Sequence, residues 1–169
     1  MPRSVEILGT AQLGQLSRRL RVAGGPRLQR NLARRVRRAA EPLHRDLQKA
    51  IISVQLSSPG RKKRGGPSPT TRPLRKNIAG AIRLSVRQAG RASARVWLDR
   101  SRLPAGVTMG VVARIDEGRL RHPVFNNRKR WVTQNARPIG WWSRTVQTGT
   151  PRMRAEVERV LGDVRRDLQ

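Results

Sequence analysis

Between Leu28 and Val54 the apolar residues fall on one line. Leu28, Leu32, Val36, Ala39, Ala40, Leu43, Leu47, Ala50, Ile51 and Val54 recur at three- and four-residue intervals. Only a helix of about 3.6 residues per turn gathers such positions onto one face, so the spacing predicts one long helix over 27–55. Arg30, Arg34, Arg35, Arg37, Arg38, Arg45 and Lys49 cover its other faces. Pro26 suits the start of that helix, where a missing N–H is not needed. Pro42 removes one backbone hydrogen bond inside it and predicts a kink.

A helix with one apolar stripe must lie on something. Ile82, Leu84 and Val86 alternate with Arg83, Ser85 and Arg87; Ala94, Val96 and Leu98 alternate with Arg95 and Trp97. Joined through Gln88–Arg91, these predict a β-hairpin with one buried face. Ser4–Leu8 reads as an edge strand, and Leu13, Leu16 and Leu20 as a short helix ended by Gly24-Gly25. Met109–Glu117 reads as a helix with Val111, Val112 and Ile115 inward, stopped by Gly118. Trp131–Gln134 reads as a further strand. Thr150-Pro151 resembles an N-cap and first helical residue, ahead of a second stripe of Met153, Val157, Val160, Leu161, Val164 and Leu168. The expected fold class is α+β: a long N-terminal helix and a C-terminal helix (151–168) packed on a small antiparallel sheet. That sheet is expected to contain 82–87, 93–98 and 131–134, within a single domain of 1–169.

Charge narrows the function. The chain carries 38 Lys and Arg against 10 Asp and Glu, a net charge of +28, and only Lys49, Lys62, Lys63, Lys76 and Lys129 are lysines. An Arg skew is what a GC-rich coding sequence produces, but it does not explain the shortage of acids. A surface so cationic adheres to polyanions, which points to nucleic acid or acidic protein as a partner. The most concentrated charge lies in 57–72, SSPGRKKRGGPSPTTR, a basic loop predicted to be flexible by its Pro and Gly and its lack of an apolar anchor. Arg61, Lys62, Lys63 and Arg64 at its centre are the candidate contact with DNA or an acidic partner, expected to order only in an assembly.

Catalytic chemistry has little to work with. There is no cysteine and there are two histidines, His44 and His122. No H-x-x-x-H spacing, phosphate loop, dinucleotide fingerprint or nucleophile elbow occurs. Asp116 and Glu117 near His122 read as a cap or a surface ion pair with Arg119 or Arg121. No cofactor, metal or enzymatic activity is expected. The N-terminal stretch does not read as a signal peptide, and no apolar run reaches the ~20 residues of a membrane span. The expected location during synthesis is the cytoplasm, with no membrane partner.

The most specific stretch is RHPVFNNRKRWVTQNARPIGWW, from Arg121 to Trp142, which gathers Phe125, Trp131, Trp141 and Trp142, four of the five aromatics in the chain. Its pieces are His122-Pro123-Val124-Phe125, Asn127-Arg128, Trp131-Val132-Thr133-Gln134, and Pro138 with Gly140-Trp141-Trp142, after Asp116-Glu117-Gly118. The block resembles small neck, head–tail joining or tail-completion proteins of long-tailed actinobacterial phages, with a pattern of R-H-P-V-[FY]-G-N, then W-V-T-Q, then P-G-W-[FW]. Asn126 replaces the usual Gly, and Ile139 is a one-residue insertion. The resemblance implies a structural virion protein of the neck without catalysis. It also implies a homo-oligomeric ring, sixfold in such particles, beside portal-side connector, tail-tube or terminator proteins and around passing DNA. His122, Pro123, Val124, Phe125, Asn127, Arg128, Trp131, Thr133, Gln134, Pro138, Gly140, Trp141 and Trp142 are then the motif or interface candidates. From the residues alone, the aromatics fit either a small core pinning the segment or an exposed anchor for a neighbour. A non-specific nucleic-acid-binding protein remains the alternative function, although no helix-turn-helix, RRM, KH or OB signature occurs.

Overall fold

The apolar stripe forms the helix it predicts. A computed structural model describes residues 4–8, 25–57, 73–87, 93–124 and 127–166. In chain order its elements are β1 (Ser4–Leu8), α1 (Gly25–Ser53), β2 (Gln55–Ser57), α2 (Leu74–Ala81), β3 (Ile82–Arg87), β4 (Ser93–Leu98), a single 3-10 turn (Arg100–Arg102), α3 (Met109–Asp116), β5 (Arg119–Val124), β6 (Asn127–Arg137) and α4 (Ser143–Arg166). The fold class is α+β. Along α1, Leu32, Val36, Ala40, Leu43, Leu47 and Ile51 are buried, whereas the arginines and Lys49 of the other faces are exposed. Each buried Val, Leu or Ile contributes about 1.5–3 kcal/mol, so the stripe rather than the Arg-rich remainder holds the helix in place. Pro42 lies inside α1 at an exposed position.

Two compact units are built from separated stretches of chain: Met1–Asp46, Ile82–Leu98 and Val146–Gln169 form the first, Leu47–Ala81 and Asp99–Thr145 the second. In the first, an antiparallel sheet has the order β1-β4-β3. Ile82, Leu84 and Val86 stand opposite Leu98, Val96 and Ala94, and Arg83 and Ser85 opposite Trp97 and Arg95. The two alternating runs therefore share faces in the predicted manner. Ser4–Leu8 is the edge strand, paired along Ser93–Trp97 of β4. His44 on α1 lies with Nε2 3.0 Å from the Ile82 carbonyl, so Nε2 carries the proton and donates it. That ties the helix to the start of β3. Met153, Val157, Leu161 and Val164 form the buried stripe of α4.

In the second unit a separate antiparallel sheet has the order β2-β6-β5. The C-terminal end of α1 is closed by Arg75, whose Nη1 donates to the carbonyls of Ile52 and Val54 at 3.0 and 2.7 Å, acceptors that a helix end leaves open. Gln48 Nε2 donates to the Ala79 carbonyl at 3.2 Å, fixing α2 beside α1. Helix α3 begins at an N-cap, Thr108, whose hydroxyl accepts from Val111 N, and it buries Val112 and Ile115.

Three expectations are corrected. Trp131–Gln134 belongs to β6 in the second sheet and does not join 82–87 and 93–98. His122 lies in strand β5. The segment after α1 forms β2 through Ser57, and α2 follows Pro73, where no helix was expected. Finally, α4 begins at Ser143 and runs through Pro151. A Thr-Pro pair favours a helix start only when no earlier turn is secured. Here Arg144 N already donates to the Gly140 carbonyl at 2.9 Å and Thr145 Oγ1 to the Trp141 carbonyl at 2.7 Å. The first turn is anchored, and Pro151 removes a single hydrogen bond from a helix held by its stripe. The helix expected around Leu13, Leu16 and Leu20, the Gln88–Arg91 turn and the basic loop beyond Ser57, with Arg61, Lys62, Lys63 and Arg64, lie outside the described residues. So do Phe125 and Leu168.

Candidate functional site

The Arg121–Trp142 block divides into an exposed ribbon and a buried hinge. The ribbon is the β5–β6 pair. Arg119, Arg121 and Pro123 stand opposite Asn135, Thr133 and Trp131, and Leu120 and His122 stand opposite Gln134 and Val132. Cross-strand partners share a face, so the two sets look in opposite directions. Leu120 and Ala136 on the inner set are buried, and His122, Val132 and Gln134 are half-buried; Arg119, Arg121, Trp131 and Thr133 on the outer set are exposed. Strand β2 covers β6 only from Asn135 to Arg137, with Gln55 opposite Arg137 and Ser57 opposite Asn135. The rest of the ribbon continues beyond it.

Near the ribbon tip the register slips between Pro123 and Val124, because Val124 pairs with Asn127 while Pro123 pairs with Trp131. Extra residues on one strand bulge and redirect their neighbours. Lys129 and Arg130 stand exposed in this bulge, and Asn127 Oδ1 accepts from Lys129 N at 3.0 Å. Trp131 is 49% exposed, and the Arg121 guanidinium carbon sits 5.3 Å from its ring centroid, a cation–π distance. His122 Nδ1 lies 3.1 Å from the carbonyl of Pro123, so its ring is engaged with its own strand. The side chains of Val124 and Arg128 lie outside the described part.

The hinge is different in kind. Trp141 and Trp142 are buried, with ring centroids 5.7 Å apart and planes at 80°, an edge-to-face pair. Asp116, itself buried at the end of α3, accepts from Trp142 N at 2.7 Å and Ser143 N at 3.3 Å through Oδ1, while its backbone carbonyl accepts from Gly140 N at 2.7 Å. A carboxylate on the first N–H groups of α4 satisfies donors that a helix start leaves open and lies at the positive end of the helix dipole. Gly118 (φ 89°) and Gly140 (φ 79°) make the turns that allow this approach. A Cβ on Gly118 would lie 2.7 Å from Ile139 Cγ1, so the glycine is required sterically as well as conformationally. Pro138 is exposed at the end of β6.

The candidate residues therefore separate by role. Trp131, Thr133 and Asn127 are presented to solvent, His122, Pro123 and Gln134 support the ribbon, and Gly140, Trp141 and Trp142 are structural. Of the aromatic cluster, Trp141 and Trp142 form the small core and Trp131 is exposed. Arg119, Lys129 and Arg130 were not singled out from sequence, although the signal was present: no Asp or Glu occurs from Gly118 to Ala155. Among the described residues, no group of three or more His, Cys, Asp or Glu could hold a metal ion. A cavity of about 310 Å³ in the first unit lies between α1 and α4, floored by Ala39, Leu43 and Met153 and edged by Arg35, Arg38 and Glu156. It contains neither histidine. No described helix is long and apolar enough to cross a membrane. Compared with protein-family models, curated proteins and solved structures, the chain finds no match.

Proposed function

We propose that this chain is a structural subunit of a tailed-phage neck, joining head to tail or completing the tail tube as a ring around the DNA path. The reading rests first on the likeness of the Arg121–Trp142 block to neck and tail-completion proteins. What supports it structurally is the division of that block: Trp141, Trp142 and Asp116 fix the base, and the base presents an exposed ribbon carrying Trp131. Tryptophan and arginine concentrate at interface hot spots, and an exposed pair of them on a braced ribbon suits contact with a neighbouring subunit or a threaded polyanion. The ring, its sixfold order and its location in the virion come from the resemblance and belong to this proposal, as does the absence of catalysis. Deleting the gene from a phage that encodes it should leave DNA-filled heads and separate tails, or tails with faulty ends; normal infectious particles would refute it.

A second reading, a free-standing nucleic-acid-binding protein, is favoured by the net charge of +28. Recovery of the chain from the nucleic-acid fraction of infected cells but never from purified particles would select it.

A further inference from the structure

We infer that the outer face of the β2-β6-β5 sheet binds nucleic acid, with Arg119, Arg121, Lys129 and Arg130 on phosphates and Trp131 against a base. The inference stands on this face alone and holds whichever reading of the protein's function survives.

The face is composed in a way that selects its partner. Strand alternation and register place Arg119, Arg121, Trp131, Thr133, Asn135 and Arg137 together, with Gln55 and Ser57 added by β2, and Lys129 and Arg130 exposed in the adjoining bulge. Arg119 and Arg121 lie about 6.8 Å apart along their strand, two residues at ~3.4 Å each. No carboxylate occurs in this stretch of chain, and among the described residues none of these five cations is in an ion pair. Arg119 and Arg121 are close enough to repel each other and are stabilised by an anionic partner at close range, because screening at physiological salt confines such interactions to ~8 Å, while Arg137, Lys129 and Arg130 extend the positive charge along the ribbon.

An acidic protein surface would satisfy the charge but not the rest. The centres of protein–protein interfaces are apolar and depleted in lysine, whereas Pro123 is the one aliphatic side chain among the described residues of this outer face. Arg and Lys together with Ser, Thr, Asn and Gln are the groups that bind phosphate and sugar, and an exposed aromatic on a sheet is a stacking platform for bases. Arg121 already lies against the Trp131 ring, which holds the indole in place and adds a cation beside any stacked base.

Total charge makes the whole chain adhere to DNA, so the test must isolate this face. Full-length protein is titrated by fluorescence anisotropy with a short labelled single strand, and with the duplex of the same sequence, over a salt series. The face variant R119Q/R121Q/K129Q/R130Q is compared with a control removing equal charge from exposed helix positions, R30Q/R34Q/R37Q/R154Q. Each phosphate contact contributes about 0.9 to the slope of log K against log salt on duplex and about 0.7 on single strands. The face variant should therefore lose about 3.6 on duplex and 2.8 on single strands, and the control less than one. W131A should weaken single-strand binding about 5- to 150-fold with an unchanged circular dichroism spectrum, while W131F retains most of it. Equal slope losses in the two charge variants would overturn the inference, as would unchanged binding by W131A. So would a face variant that keeps its affinity for DNA while losing affinity for poly-glutamate.

Discussion

Removing the Asp116 side chain should loosen the junction between α3 and α4 more than any other change of a few atoms. Its Oδ1 accepts from Trp142 N at 2.7 Å and Ser143 N at 3.3 Å, and the residue is only 7% exposed. Losing a helix-capping side chain costs about 0.5–2 kcal/mol. Leaving a buried N–H unpaired costs about 1–3 kcal/mol, and the two contributions overlap because both count the Trp142 donor. The interaction of the carboxylate with the helix dipole adds a few tenths to about 2 kcal/mol in a partly buried setting. D116A should accordingly lose about 2–4 kcal/mol, and D116N, which keeps an oxygen acceptor and loses only the charge, about 1 kcal/mol. Urea denaturation at neutral pH, followed by tryptophan emission, reads this as a shift in midpoint. In a chain of this size each kcal/mol also moves Tm by about 2–4 °C. D116A within 0.5 kcal/mol of wild type would refute the capping role. Equal losses for D116A and D116N would refute the part assigned to acceptor geometry.

Other substitutions test separate links. G118A should cost at least about 2 kcal/mol, since its φ of 89° is unfavourable for a residue with a Cβ and that atom would meet Ile139 at 2.7 Å; calorimetry of the variant checks it. W131A should leave stability within about 0.5 kcal/mol of wild type, as expected for a half-exposed surface residue, whereas W141A should cost about 3–5 kcal/mol, and denaturation curves of the pair separate ribbon from core. R75Q should lose about 1–3 kcal/mol by releasing the Ile52 and Val54 carbonyls, seen as faster amide exchange in the last turn of α1.

Residue spacing made α1, α3, the stripe of α4 and the β3–β4 pairing legible because each follows from a local period, whereas α2 carries no such signal. The stripe from Leu32 to Ile51 has no other way to reach one face, and the runs 82–87 and 94–98 alternate over enough residues to set their register. Sheet membership was not legible in the same way. Trp131–Gln134 is too short a run to choose between partners, and its true strand, Asn127–Arg137, contains a bulge that breaks the alternation. Strand β2 is three residues long and is defined only by pairing with β6. The start of α4 was misplaced because Thr150-Pro151 is a strong local signal. The signal that prevails is Asp116, in contact from 26 residues away, and no local pattern reports a tertiary cap. Within the site, the tryptophans were conspicuous but their division was not. Trp141 and Trp142 adjoin a turn that turns inward, and Trp131 sits at an outward position of a ribbon whose register decides the matter.

The neck proposal is tested most directly by a cryo-EM reconstruction of intact phage particles in which this chain is traced. The two units should fit density forming a closed ring between portal and tail tube, with the β5–β6 ribbon at a subunit contact or toward the DNA path. Density for the chain elsewhere in the particle, or a complete neck built from other proteins alone, would contradict it.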